Sequence, residues 1–243
     1  MSYLNLKKRI PEPEEEMEGE EEVMSFSSGQ SGSSYKLTCI DIFKNAKLNS
    51  GKILDIGCGF GGLIKNIHQQ KPSFSFVGID LSKAMLSMAR KFCKGIDVKF
   101  YQKEADKTGF KSESFDLIVC KDTIHHFKNP VTILKEMYRL LRKGGYIHMV
   151  DIKRNTDEDI IHRLCQHIAN TNVLHAIQYL DSAQAAYTIQ EMKQLFKKAG
   201  IMNFKIYEPK FNNNTIKKYQ ILPEKIGSAE LFFKTRWIAV IKK

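Results

Sequence analysis

The apolar positions of this chain switch between a period of two and a period near 3.6, and the switching marks out its elements. Lys52–Ile56 is a short apolar run that ends on glycines, and helical spacing follows over Leu63–Gln70. The couple recurs with Phe74–Ile79 as a strand and Ser82–Cys93 as a helix, then Val98–Gln102 and Phe115–Val119 as strands. A helix over Val131–Leu141 stops at Lys143-Gly144-Gly145, and Tyr146–Val150 is a fifth strand. Strands and helices in this order predict parallel strands joined by helical crossovers, an α/β fold. Beyond them lies one helical stretch over Asp157–Leu174, then Thr188–Lys198, where Thr188 and Glu191 form a capping-box pattern and Gly200 follows. Two terminal strands, Asn203–Tyr207 and Arg236–Ile241, are separated by a polar segment around Asn212-Asn213-Asn214 that reads as a long loop. Upstream, Leu37–Phe43 is amphipathic, while Ser25–Ser34 (SFSSGQSGSS) reads as a mobile loop. The division expected is an acidic leader and lid or loop over residues 1–36 and one domain over 37–243.

Composition narrows the class. With 42% hydrophobic and 27% charged residues in 243, the chain has ample material for one core, which excludes disorder throughout. No apolar run approaches the roughly 20 residues that cross a bilayer, and the opening MSYLNLKKRIPEPEEE has no apolar stretch of the secretory kind. A cytoplasmic protein is expected. Cys39, Cys58, Cys93, Cys120 and Cys165 are scattered without a C-x-x-C pair, as suits free thiols in a reducing compartment. The net charge of +11 is uneven: residues 1–24 carry eight glutamates against Lys7, Lys8 and Arg9, and the last third is basic. That bias suits an anionic small molecule or a nucleic acid, and equally a solvated lysine-rich surface.

The densest chemistry lies in Leu54-Asp55-Ile56-Gly57-Cys58-Gly59-Phe60-Gly61-Gly62, an apolar strand running into glycines and then a helix. Gly57, Gly59 and Gly62 satisfy G-x-G-x-x-G, a spacing that brings backbone close to a ligand without naming it. Asp80 ends the second strand, where a carboxylate accepts both hydroxyl hydrogens of an adenosine ribose.

In these residues the chain resembles the class I S-adenosylmethionine-dependent methyltransferases, in particular the small-molecule branch that includes ubiquinone-biosynthesis-type C-methyltransferases. LDIGCGFG at Leu54–Gly61, GIDLSKAML at Gly78–Leu86, FKSESFDLIVCKDTIHHF at Phe110–Phe127 and LLRKGGYIHMVD at Leu140–Asp151 carry the resemblance in order. It implies a single Rossmann-like sheet of seven mostly parallel strands with the last antiparallel, helices on both faces and an N-terminal lid segment, with Gly29 and Gly32 as hinges. It also implies S-adenosylmethionine as cofactor. On this pattern Gly57, Cys58 and Gly59 carry the methionine part of the cofactor on backbone, Asp55 helps hold its ammonium, and Asp80 takes the ribose. Leu81 and Met85 pack on adenine. Glu104, ahead of Ala105, stands where the family usually has the Asp that accepts from the adenine amino group, with Asp106 the alternative. Backbone at Cys120 and Lys121 completes the site. Arg9-Ile10-Pro11-Glu12-Pro13 resembles the start of some bacterial small-molecule methyltransferases.

Methyl transfer from a sulfonium needs little beyond positioning and exclusion of water, with a base where the nucleophile holds its proton. His125, Asp122 and His126 are the base candidates, His125 first, and Asp151 and Tyr187 are further pocket candidates. His162, His167, His175 and Tyr179 show no convincing ligand pair, so no metal site is expected. The acceptor expected is a small molecule. RNA or protein methylation is disfavoured, since Asn129-Pro130 is followed by Val131 and no cysteine follows a proline. A nicotinamide-dependent oxidoreductase is less consistent with Asp55 and the strand-four motif.

Overall fold

Apolar residues that alternate sides along the strands fix the layering. In the computed structural model, which describes residues 6–12, 23, 27, 32–170, 172–219, 221 and 226–243, seven strands form one sheet. They are β1 (Gly51–Ile56), β2 (Phe74–Asp80), β3 (Val98–Gln102), β4 (Phe115–Lys121), β5 (Leu141–Ile152), β6 (Phe204–Tyr207) and β7 (Arg236–Lys242), in the order β3-β2-β1-β4-β5-β7-β6. Neighbours pair in parallel from β3 to β5, whereas β7 runs antiparallel to both β5 and β6. The strand order reverses between β1 and β4, which makes the carboxyl ends of these two the natural crevice of the sheet.

Leu54 and Ile56 face a core formed with α4 (Pro130–Leu140) and α7 (Ile189–Lys198). Ile53 faces the other side, where α1 (Gly32–Asn45), α2 (Gly62–Gln70) and α3 (Lys83–Phe92) supply Ile42, Ile64 and Leu86. Burial on both faces is why β1, β2 and β4 read as continuous apolar runs. Side-chain caps start several helices. Ser82 Oγ accepts from Met85 N at 3.1 Å, and Thr188 with Glu191 closes the capping box at α7.

The structure departs from the sequence expectation in four places. The stretch over residues 157–174 is two helices, α5 (Glu158–Ala169) and α6 (Val173–Ala185), parted where Asn172 caps the second by accepting from His175 N at 3.0 Å. The segment expected as a long loop holds α8 (Asn213–Tyr219) and α9 (Ile226–Lys234), and α9 packs Ala229 and Phe233 against Leu37 of α1. Strand β5 starts at Leu141 rather than Tyr146, because fully buried Leu141 pairs with Phe115 across a register shift. Gly32–Ser34 open α1 instead of lying in a loop, so the helix runs across the boundary expected at residue 36. Gly32 is therefore helical, and Gly29 lies outside the described residues.

Candidate active site

The turn after β1 is tied to β2 by its backbone. Gly57 N and Cys58 N both donate to Ile79 O, at 2.9 and 3.0 Å. Gly59 N donates to Asp80 Oδ2 at 2.8 Å and Ser82 N to Asp80 Oδ1 at 3.0 Å, so the carboxylate is fixed from two sides. Gly57 and Gly59 have φ of +66° and +50°, values open to glycine at little cost. The space beside each differs. A Cβ on Gly57 would stand 2.2 Å from Thr123 Cγ2, so that glycine makes room for Thr123. Among the described residues a Cβ on Gly59 would meet only Met85 Sδ at 3.9 Å, so its side is open to them.

Asp55, the penultimate residue of β1, is 2% exposed, and its Oδ2 has no hydrogen-bond partner among the described residues. Burial and then the charge of Asp80 push its carboxyl up to about 8, with Lys121 pulling the other way. Asp80 is itself raised by burial, against hydrogen bonds from Gly59 and Ser82. A buried carboxylate oxygen with no donor, beside a second carboxylate, is a place for a cation.

The other wall comes from β4 and the 3-10 turn Ile124–His126. Asp122 adopts φ +50° and pairs with Lys121 and with Arg236, whose Nε lies 2.9 Å from its Oδ1. Burial opposes ionisation of Asp122, but the charges of Arg236 and Lys121 outweigh it and hold the carboxyl well below the usual range. Arg236 Nη1 also donates to Tyr179 Oη at 3.0 Å, and Lys121 Nζ stands 4.8 Å from the Tyr35 ring centre. His125 Nδ1 is 2.6 Å from Asp151 Oδ1, while Asp151 Oδ2 accepts from Thr123 N at 3.1 Å. Burial lowers the His125 pKa, but Asp151, Glu12 and Asp122 together raise it.

Of the remaining candidates, Leu81 is 42% exposed just past β2, and Met85 is buried with Phe60 and Val23. The Cys58 and Cys120 side chains are buried in the two main cores. Glu104 is exposed on the loop after β3, with Ala105 partly buried; Lys103 N donates to Asp80 O at 3.2 Å, which brings that loop to the end of β2.

Three site residues lie far off in sequence and escaped sequence reasoning. Arg9 donates to His125 O at 2.8 Å and to Ala185 O at 2.6 Å and stacks 4.4 Å over Tyr187. Glu12 pairs with His126, and its Oε1 is 3.9 Å from His125 Nε2. Arg236 arrives from the start of β7. The signal for the first two was the Arg9–Pro13 motif, which spacing alone does not connect to His125.

Residues 47–209 match the family model described as a methyltransferase domain. The ubiquinone biosynthesis O-methyltransferase of Pseudomonas entomophila is 30% identical over 117 residues, covering 47% of this chain and 50% of that protein. That of Pseudomonas aeruginosa is 32% identical over the same length and the same shares. The match thus spans about half the length of these relatives, which are O- rather than C-methyltransferases. Among solved structures, the plantazolicin methyltransferase BpumL in complex with a triazolic desmethylPZN analog and SAH superposes with a TM-score of 0.70 at 21% identity, over 92% of this chain and 91% of that one. Phosphoethanolamine N-methyltransferase 2 of Haemonchus contortus, in complex with S-adenosyl-L-methionine, gives 0.64 at 16% identity, over 92% of this chain and 57% of that one. These two likenesses speak for the fold, and the family model, which spans two thirds of the chain, makes the chain a member of the methyltransferase-domain family.

Proposed function

We propose that this protein is an S-adenosylmethionine-dependent methyltransferase acting on a small molecule whose nucleophile carries a proton at neutral pH, a hydroxyl first of all. The observation that carries the reading is Asp55 Oδ2, buried without a donor among the described residues and near enough to Asp80, which Gly59 N holds, for the two charges to interact. An amino-acid ammonium satisfies that oxygen, whereas the pyrophosphate of a nicotinamide dinucleotide would add negative charge beside Asp55 and Asp80. S-adenosylmethionine supplies an electrophilic methyl group on its sulfonium.

The chain's own residues do the rest. Asp80, locked by Gly59 N and Ser82 N, is oriented to accept from a ribose diol, and exposed Leu81 offers apolar surface to a base. Glu104 and Ala105 border that position on the neighbouring loop. His125 is the general base: with Nδ1–H held by Asp151, its Nε2 is left to take the acceptor proton. Asp122 is the weaker base of the two, because taking a proton would cost it the ion pairs to Lys121 and Arg236, and it positions those cations instead. Residues 6–12 close over His125 from the N-terminal side and exclude water from the transfer. The relatives, by name a ubiquinone biosynthesis O-methyltransferase, a plantazolicin methyltransferase and a phosphoethanolamine N-methyltransferase, support a small acceptor. Five unpaired cysteines support a reducing, cytoplasmic setting, and no helix among the described residues is long and apolar enough to cross a membrane.

Calorimetric titration with S-adenosylmethionine, S-adenosylhomocysteine and NADH, on the native chain and on Asp80→Ala, tests the reading. Both adenosyl ligands are expected to bind and to lose at least about tenfold in the variant, roughly the value of one charged hydrogen bond. Binding of NADH alone would return the glycine turn to the dehydrogenases.

A further inference from the structure

We propose that Glu12, His125 and His126 form a site for one divalent transition-metal ion, zinc by its donor set, which fastens the N-terminal segment over the mouth of the active site. Nothing in the spacing of the sequence suggests it, because one ligand is more than a hundred residues from the other two and meets them only through the fold.

Four observations converge. A Glu12 oxygen, a ring nitrogen of His125 and a ring nitrogen of His126 all lie within 4.8 Å of one another. Tetrahedral zinc with bonds of about 2.0–2.1 Å needs ligand atoms about 3.3 Å apart, a change that side-chain rotation supplies. His125 Nε2 is buried and has no hydrogen-bond partner among the described residues, in a side chain 2% exposed. In the neutral ring, with Nδ1–H given to Asp151, Nε2 carries a lone pair, and a Glu12 oxygen with only lone pairs of its own stands 3.9 Å from it. A cation between them satisfies both. The His125 and His126 rings are 4.1 Å apart between centres, so both present nitrogens to one space. Asp151 behind His125 is the carboxylate partner that metal-bound histidines commonly have.

The third ligand is held in place without any ion. Arg9, three residues before Glu12, is anchored to His125 O and Ala185 O, and Ile10 N donates to Gln184 O at 3.1 Å. Two imidazoles and a carboxylate with room for a further ligand suit zinc, cobalt or nickel rather than magnesium or calcium, which take mostly oxygen. Occupancy takes up Nε2, so the metal and the acceptor proton compete for one lone pair, and the ion-bound protein is the closed, resting form. This last consequence rests on the methyltransferase reading; the site itself does not.

The experiment needs neither cofactor nor turnover. The full chain is stripped with a chelator, then titrated with Zn2+ by calorimetry and with Co2+ by visible absorption. One equivalent of each is expected, with a ligand-field band of four-coordinate cobalt. Glu12→Gln and His126→Ala are each expected to weaken binding about 10- to 100-fold, while His167→Ala, an exposed histidine on α5, leaves it unchanged. Thermal melts of the metal-free variants check that the fold is kept. Absence of stoichiometric binding, or an affinity that is the same in Glu12→Gln and His126→Ala as in the native chain, would overturn the proposal.

Discussion

Asp151 Oδ1 stands 2.6 Å from His125 Nδ1, and both side chains are 2% exposed. The pair joins the end of β5 to the turn after β4, and Asp151 is itself held by Thr123 N and Ile152 N. Such a carboxylate fixes the ring and favours its protonated form. With His125 as the proposed base, the acceptor must find it unprotonated, so the raised pKa sets an activity limb. kcat/KM is expected to rise with pH through a value above the ordinary 6.5 of histidine. Asp151→Asn removes the chief charge that raises it, and the limb moves to lower pH. His125→Ala lowers kcat about a hundredfold or more and leaves S-adenosylmethionine affinity unchanged in a binding titration. A native pH profile flat from 6 to 9 would remove His125 from the chemistry.

Asp55 carries the opposite lesson, since its carboxyl is raised to about 8 by burial and by Asp80. Between the unfolded value near 3.9 and 8, the unfolded state releases a proton that the folded state keeps, so stability falls as pH rises across that window. Asp55→Asn removes this cost. The ligand-free variant is expected to melt higher than the native chain at pH 7.5, by about 2–4 °C for each kcal/mol recovered, and to show little difference near pH 4. It is also expected to lose S-adenosylmethionine binding. A variant that melts lower at pH 7.5 would mean that Asp55 is held by a contact stronger than the repulsion described.

The two glycines of the turn separate stability from binding. In Gly57→Ala the new methyl meets Thr123 Cγ2 at 2.2 Å in a left-handed backbone, and a loss of about 2–4 kcal/mol in denaturant unfolding is expected. Gly59→Ala meets nothing closer than 3.9 Å. It carries only the backbone strain of about 1–2 kcal/mol, but it fills the side open to the cofactor, so its larger effect is expected in S-adenosylmethionine affinity. Equal effects of both substitutions on both measurements would contradict this division.

What the sequence made legible was the strands buried on both faces, β1, β2 and β4, and the helices that start on a side-chain cap. Ser82 and Thr188 are such caps, and β1 to β4 fall within a residue or two of their apolar runs. Helix α6 was illegible because its apolar pattern misleads: Val173, Leu174 and Ile177 are 64%, 46% and 52% exposed, while His175 and Tyr179 are buried. Helix α9 was hidden for a related reason, since it packs on α1 rather than continuing the strand and helix alternation. At the site, Asp55, Gly59, Asp80 and His125 could be named because each lies within four residues of the carboxyl end of β1, β2 or β4. Glu12 and Arg236 were not, because only the antiparallel insertion of β7 and the return of the leader bring them to β4.

Asp122 tests how such a late-arriving partner acts. Its carboxylate faces Lys121 and Arg236, and Arg236 is 8% exposed. Removing one member of a buried pair leaves a charge without its counterion, which costs about 3–5 kcal/mol. Asp122→Asn is therefore expected to lower stability by about that amount at pH 7, measured by denaturant unfolding. The lowered pKa gives the sign of the pH dependence. Asp122 stabilises the fold fully above its unfolded value near 3.9, and the contribution disappears as pH falls toward the depressed folded value. The difference between Asp122→Asn and the native chain should shrink steadily on acidification below pH 4. Arg236→Met is expected to be damaging alone and less so combined with Asp122→Asn, because the double variant buries no unpaired charge from this pair. Strict additivity of the two changes would show that Arg236 acts through Tyr179 and Thr235 alone, and that the ion pair across β4 and β7 contributes nothing to the site.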